Sequence, residues 1–170
     1  MTKMYISGIK HDSIVDGQGL RNVIFVSGCW WSCKGCHNLS THDPKHGKEM
    51  TIDEIIDDVY SDNNDITISG GDPLTYQISR TIELLKKLKQ IRPSVNIWLY
   101  TGYQWDELIS DSNIVKALQY IDVLVDGRYV KSQKNEDLIF KGSFNQNIIM
   151  VQESLAVGHI VLWESPEIML

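Results

Sequence analysis

An α/β fold with parallel strands, bent into a partial, open barrel, is what the order of elements in this chain predicts. Short β-rich runs alternate with helical ones, and strand, loop and helix in repeated order is the signature of a parallel α/β sheet. The four such units in these 170 residues are too few for a closed eight-fold barrel of about 250 residues. The whole length, 1–170, reads as one domain able to bury a substantial core.

The first strand is Asn22 to Ser27, which runs straight into Gly28-Cys29. Thr51-Ile52-Asp53-Glu54 opens a helix that continues to about Tyr60, with Thr51 as N-cap and Glu54 at the capping-box position. Asp65 to Ser69 is the second strand. Tyr76 to Ile91 is the second helix, because Ile78, Ile82, Leu85, Leu88 and Ile91 recur at helical period. Lys86, Lys87, Lys89 and Arg92 near its end suit the helix dipole, and Pro93 closes it. Asn96 to Thr101 is the third strand, Gln104 to Leu118 the third helix, and Ile121 to Val125 the fourth strand. Ile148 to Gln152 and His159 to Trp163 are two further apolar β runs that can form a terminal hairpin around Gly158. Arg128 to Phe144 is the longest irregular stretch and the expected mobile loop.

Hydrophobic residues make up 42% of the chain and charged ones 22%, an ordinary globular composition. No run approaches the roughly 18 apolar residues of a membrane span, so no membrane partner is expected. Met1-Thr2-Lys3-Met4 leads into polar sequence rather than a signal core, which points to the cytoplasm. The net charge of −6 argues against nucleic acid as a partner.

All three cysteines fall within eight residues, Cys29-Trp30-Trp31-Ser32-Cys33-Lys34-Gly35-Cys36. Three thiolates packed this tightly face one centre, and soft thiolates select iron–sulfur clusters, zinc or Cu(I). Zinc sites usually pair one close knuckle with a second, distant knuckle of Cys or His. No second cysteine pair exists here, although His37, His42 and His46 follow closely, so the spacing favours a cluster over a Cys/His zinc site. The odd count argues against a disulfide. Three thiolates on a four-iron cluster leave one iron without a protein ligand, a place for chemistry.

The predicted strands end in the cysteines, in Ser69-Gly70-Gly71-Asp72-Pro73, in Tyr100-Thr101-Gly102-Tyr103 and in Asp126-Gly127. In a parallel sheet these loops gather on one face. Gly70 and Gly71 permit close approach of a ligand to the backbone. The plainer reading makes Asp72 a helix cap, Pro73 the first turn and the glycines a bend.

These residues resemble the radical S-adenosylmethionine superfamily, on Cys-x3-Cys-x2-Cys followed by Gly-Gly-Asp at the end of the next strand. Closer still is the resemblance to the activating components of anaerobic ribonucleoside-triphosphate reductases, which runs from about Ile9 to Ile149. It includes the entry segment Ser13-Ile14-Val15-Asp16-Gly17-Gln18-Gly19-Leu20-Arg21 and the later Gly35-Cys36-His37-Asn38. Tyr100-Thr101-Gly102-Tyr103, Asp122-Val123-Leu124-Val125-Asp126-Gly127 and Gly142-Ser143-Phe144-Asn145-Gln146 complete it.

The resemblance implies the radical S-adenosylmethionine type of partial barrel and a defined reaction. Cys29, Cys33 and Cys36 would be the catalytic metal ligands, holding a [4Fe-4S] cluster whose open iron is chelated by S-adenosylmethionine. An electron from an external donor of flavodoxin type would cleave that cofactor to methionine and a 5′-deoxyadenosyl radical. The radical would take hydrogen from a glycine near the C-terminus of the large catalytic subunit of the reductase. Gly70, Gly71 and Asp72 would receive the methionine amino end, and Gly35, Cys36 and His37 would line the cofactor near the cluster. Two positions depart from the superfamily pattern: Gly35 stands where an aromatic residue often precedes the third cysteine, and Asp72 where Glu is frequent. His37 is then the next ring for the adenine, or a loop histidine satisfied by backbone.

Trp30 and Trp31 shield the cluster, meet a partner, or simply pack. Asp126 touches a cofactor or partner, or caps the loop after it. His42 and His46 read as solvent-exposed loop residues, and Gly142 to Gln146 carries resemblance but no derivable chemistry. Two other functions fit part of the pattern. A 7-carboxy-7-deazaguanine synthase would share the length, entry segment and cysteine spacing but act on a small molecule, and Asn145-Gln146 speaks against it. A non-enzymatic iron–sulfur or zinc module would hold metal and ignore S-adenosylmethionine.

Overall fold

In the computed structural model, which describes residues 1–166, the predicted units form the centre of one seven-stranded sheet. The chain runs β1 (Lys3–Ser13), β2 (Arg21–Val26), β3 (Lys48–Thr51), α1 (Ile52–Val59), β4 (Asp65–Gly70), α2 (Ile78–Ile91) and β5 (Ile97–Tyr100). It continues through α3 (Trp105–Ser110), α4 (Val115–Leu118), β6 (Val123–Asp126), β7 (Asn147–Met150) and α5 (Val151–Val157). The spatial order is β3-β1-β2-β4-β5-β6-β7, an open sheet with edges at β3 and β7. β2, β4, β5 and β6 are parallel to their neighbours, as predicted. The expectation of parallel strands throughout is corrected at both margins, where β1 and β3 on one side and β7 on the other pair antiparallel.

Neither β1 nor β3 is predicted, for physical reasons. β1 buries Met4 and Ile6, but its register on β2 shifts between Ile6 and Gly8, so its alternation is broken by a bulge. β3 is a short edge strand led by exposed Lys48 and Glu49, a composition that blunts an edge and hides it from a hydrophobicity scan.

The predicted first helix is α1. Thr51 Oγ1 accepts from the Glu54 N–H at 3.1 Å, and the Glu54 carboxylate accepts from the Thr51 N–H at 2.7 Å. The predicted single helix from Gln104 to Leu118 is two. The Asp111 carboxylate accepts from the N–H groups of Asn113 (2.8 Å) and Ile114 (3.0 Å), a local alternative that breaks the helix between α3 and α4. The terminal hairpin is also corrected. Val151–Val157 is helical and Gly158, at φ +81°, is its left-handed C-cap. The returning run still reaches β7, with the Met150 N–H on Val161 O and the Trp163 N–H on Ile148 O, both at 2.8 Å.

Alternation along the strands divides the interior in two. Ile24, Val26, Ile66, Ile68, Ile97, Leu99, Leu124 and Ile149 face the main core, which contains the buried sides of α1, α2, α3 and α4. Trp98, Val123, Val125 and Ile148 face the other way, where Tyr100, Phe140, Met150 and Trp163 pack on them. The segment from Arg128 to Phe144 is irregular as expected, but it is tethered: the Tyr100 hydroxyl donates to Phe140 O at 2.8 Å and the Phe144 N–H to Gln133 O at 3.0 Å.

The entry segment closes the end of the sheet remote from the cysteines. Arg21, at 1% exposure, donates to Thr67 Oγ1 (2.8 Å), Gln18 O (2.7 Å), Ile66 O (2.7 Å) and Asn96 O (2.9 Å), with its guanidinium 5.4 Å from the Trp98 ring centre. Burial lowers its pKa to about 10, so it stays charged at neutral pH. Gly17, at φ +127°, is required there, because a Cβ would meet Arg21 Cδ and the Trp98 ring at 2.9 Å. Asp126 has a structural role of the same kind: its buried carboxylate accepts from the N–H groups of Trp105 (3.0 Å) and Asn147 (2.9 Å), joining the start of α3 to the start of β7.

Asp126→Ala leaves those two amides unpaired, and should lower the unfolding free energy in urea by about 2–3 kcal/mol. A loss under about 0.5 kcal/mol would show that water replaces the carboxylate. A second expectation concerns pH. His11 bonds Asp58 at 2.7 Å and lies 3.6 Å from Asp62, and the Asp58 hydrogen bond is the main cause that raises its pKa above 6.5. A raised histidine stabilises the fold below its unfolded pKa and loses that contribution as pH rises through its folded pKa. His11→Gln should therefore flatten stability against pH just above 6.5, and the exposed pair is worth no more than about 1 kcal/mol.

Candidate iron–sulfur and cofactor site

The loops that follow the four parallel strands enclose one cavity, as the topology predicts. Its volume is about 140 Å³, or about 600 Å³ with the open mouth and adjoining solvent included. Cys29, Cys33 and Cys36 line it from the loop after β2, and Gly70, Gly71 and Asp72 from the turn after β4. Tyr100, Thr101 and Gly102 at the end of β5, and Gly127, Arg128 and Tyr129 after β6, complete the wall.

Backbone bonds between strand ends hold the cysteine loop. The Gly71 N–H donates to Val26 O and the Asp72 N–H to Gly28 O, both at 2.8 Å, while the Cys29 N–H donates to His42 O at 3.1 Å. These contacts explain the two glycines. A Cβ at Gly70 (φ +102°) would meet Val26 O at 2.5 Å, and one at Gly71 would overlap the Gly28 carbonyl. Asp72 is 2% exposed and accepts from the Trp31 indole N–H (2.6 Å), the Thr101 hydroxyl (3.0 Å), the Gly102 N–H (2.8 Å) and the Leu74 N–H (2.9 Å). Burial pushes its carboxyl above the usual range, against the pull of those four donors. The Leu74 bond makes Asp72 the anchor of a turn and corrects the plainer reading of it as a helix cap, because α2 starts only at Ile78, after Gln77.

The three thiols are free and half-buried. Burial pushes Cys29 up to about 12. Burial raises Cys33 as well, while the nearby Tyr129 backbone and the Arg128 charge work in the opposite direction. The Asn38 N–H points at Cys36 Sγ at 3.4 Å. Among the described residues, no three His, Cys, Asp or Glu side chains are arranged to hold a single metal ion. A single zinc with Zn–S bonds of about 2.3 Å would draw its thiolates together to roughly 3.8 Å. Three free thiols lining one cavity suit an iron–sulfur cluster, for which thiolate is the usual ligand.

Gly35 and His37 belong to the same loop but lie outside the cavity wall. Gly35 is exposed at φ +78° beneath Lys131, and His37 is exposed with its ring edge-on to Tyr129 at 5.3 Å. The two tryptophans divide their roles. Trp31 is the anchor, bonded to Asp72, packed against Tyr103 at 4.9 Å and covered by the Arg128 guanidinium at 3.8 Å. Trp30 is 54% exposed, touching Tyr76 edge-on at 5.6 Å. His42, expected in solvent, is a half-buried part of the cavity wall, while His46 is exposed as expected. Arg128 and Tyr129 escaped sequence reasoning, since nothing in a lone Arg-Tyr after a strand marks it as pointing toward the cysteines. No helix among the described residues is long and apolar enough to cross a membrane.

Residues 15–149 match the family model described as "4Fe-4S single cluster domain". An anaerobic ribonucleoside-triphosphate reductase-activating protein of Vibrio cholerae is 39% identical over 143 residues, covering 79% of this chain and 90% of its own length. The protein of that name from Escherichia coli K12 is 38% identical over 141 residues, covering 78% and 90%. One from Enterobacteria phage T4 is 34% identical over 141 residues, covering 79% and 86%. With its three cysteines on a cavity at the parallel strand ends, and that likeness over most of its length, this chain belongs to the anaerobic ribonucleoside-triphosphate reductase-activating protein family.

Proposed function

We propose that the chain is a radical S-adenosylmethionine activase that generates a glycyl radical on an anaerobic ribonucleoside-triphosphate reductase. One observation carries this reading: three free cysteines and the Gly70-Gly71 turn share a single cavity, in a chain whose relatives are named as activating proteins of that reductase. The same names favour a protein substrate over the small molecule of a deazaguanine synthase. Helices against one face of an open sheet, with a separate aromatic cluster on the other, support the partial barrel of the radical S-adenosylmethionine type.

Cys29, Cys33 and Cys36 are the residues that would hold a [4Fe-4S] cluster. When bound, cluster and S-adenosylmethionine together supply the one-electron cleavage and the 5′-deoxyadenosyl radical that removes hydrogen from the partner's glycine. The chain's own part is to bind, orient and exclude water. On the Gly70–Asp72 turn the amides of Gly71 and Asp72 are already engaged, so what the turn offers a cofactor's ammonium group is carbonyl oxygen. Asp72, which accepts four bonds from the protein, would act chiefly by holding the turn and Trp31 in place. His37 and Gly35 would reach the cofactor only from the rim.

Anaerobic electron paramagnetic resonance tests the reading. Reconstituted, reduced protein mixed with S-adenosylmethionine and the large reductase subunit should give a glycyl doublet that is absent without the cofactor. An intact cluster with no doublet would sink the proposed substrate. Cys33→Ser should lose most of its iron, and full iron retention with full activity would remove that thiol from the cluster. Gly71→Val should weaken cofactor binding and also reduce cluster loading, because the added carbons strike the Gly28 carbonyl next to Cys29. Normal loading and normal affinity together would exclude the turn from the site.

A further inference from the structure

The Gly142–Gln146 segment has no part in the reading above, yet it grips the backbone beside the cysteines. Gln146 Oε1 accepts from the N–H groups of Gly142 (2.8 Å) and Ser143 (3.1 Å), and its Nε2 donates to Gly127 O (2.9 Å). Asn145 Nδ2 donates to Arg128 O (2.7 Å), and its Oδ1 accepts from Ser143 Oγ (2.6 Å). The Val130 N–H closes the set on Ser143 Oγ at 3.2 Å. The clasp therefore holds the carbonyls of Gly127 and Arg128 and the amide of Val130. Arg128 and Tyr129 of that stretch line the cavity beside the cysteines.

Both are directed at the cysteine loop. The Arg128 guanidinium lies 3.8 Å from the centre of the Trp31 ring and is steadied from behind by Glu107 at 3.2 Å. The Tyr129 ring meets His37 of the same loop edge-on at 5.3 Å. Reducing a cluster adds one negative charge, and a fixed cation or an N–H donor at a ligand sulfur stabilises that charge. We propose that the Gly142–Gln146 clasp sets the reduction potential of the cluster on Cys29, Cys33 and Cys36, by fixing the Arg128 charge against the cysteine loop. The inference rests on the reading that these cysteines hold a cluster. Arg128 tunes and the clasp residues position; neither ligates.

The test is an anaerobic dithionite titration of the reconstituted protein, followed by paramagnetic resonance without S-adenosylmethionine. Iron and labile sulfide are counted in every sample. If the unaltered chain takes up no cluster, the reading itself fails, and potentials of the variants are then beside the point. With the cluster present, Arg128→Gln should make reduction at least tenfold less favourable, about 59 mV lower for a one-electron couple. Arg128→Lys, which keeps the charge, should recover most of that loss. Asn145→Ala should shift the potential in the same direction, and by less in the Arg128→Gln background than alone, since it acts partly through Arg128. Phe144→Ala, in the same segment but with its side chain 58% exposed, should leave the potential in place. A fully loaded Arg128→Gln protein at the unaltered potential overturns the proposal, and so does a strictly additive double variant. Should Asn145→Ala fail to load, the Arg128→Gln and Arg128→Lys pair decides alone, because those substitutions leave the clasp's backbone bonds intact.

Discussion

Asp72 brings three strand ends to one point. Its carboxylate takes the Trp31 indole from the loop after β2, the Thr101 hydroxyl and Gly102 amide from the end of β5, and the Leu74 amide from its own turn after β4. A carboxylate at 2% exposure is costly unless its lone pairs are filled, and here four protein donors fill them. The cost becomes a constraint. Moving any one of the loops exposes an unsatisfied charge, so the cysteine loop, the glycine turn and the Thr101 turn hold position together. The cysteines lie in a loop that contains no strand or helix between Val26 and Leu39, and this shared anchor gives the loop its shape.

Around that anchor the sheet supplies direction. Ile97 and Leu99 face the main core while Trp98 and Tyr100 face the opposite side, and the helices α1 to α4 cover only the main-core face. The other face is filled by side chains instead, with Trp98, Phe140 and Trp163 packed edge-on at 5.3–5.7 Å. Arg21 lies at the remote end of this face with bonds to carbonyls and hydroxyls, so the charge is accommodated without a paired carboxylate. Arg21, Trp98 and Trp163 border a hollow at this end of the face, and the opposite end opens on the cysteines.

The parallel centre of the fold was legible because its strands are rich in β-branched and apolar residues and its helices carry a clear period or a capping box, as in Thr51 and Glu54. What escaped did so for reasons of chemistry. β1 is bulged, β3 is charged at an edge, and the Asp111 side chain diverts a helix that apolar periodicity alone would continue through Leu118. At the site, the cysteines and the Gly-Gly-Asp turn were legible as motifs, since their residue types are unusual in those positions. Arg128 and Tyr129 were not, because their role depends on a backbone held by Asn145 and Gln146 some seventeen to nineteen residues later. Hydrogen bonds between a loop and a distant amide side chain leave no periodicity to read.

The glycines show how a motif read for one physical reason can be required for another. Gly70 and Gly71 suggest open backbone for a ligand, yet the atoms closest to their missing side chains belong to Val26 and Gly28 of the neighbouring strand end. Their small size first allows two backbones to meet, and only then leaves carbonyl oxygen on the cavity side. A larger side chain at either glycine would therefore strike the strand end that carries the cysteine loop. Arg128 and the Asn145–Gln146 pair act on the cysteine loop from β6 and the segment after it, across the cavity from the glycine turn. The cavity accordingly has one wall fixed by backbone packed on backbone, and a second whose backbone is held by the Asn145 and Gln146 side chains, so that the Arg128 side chain can vary while the strand ends stay in place.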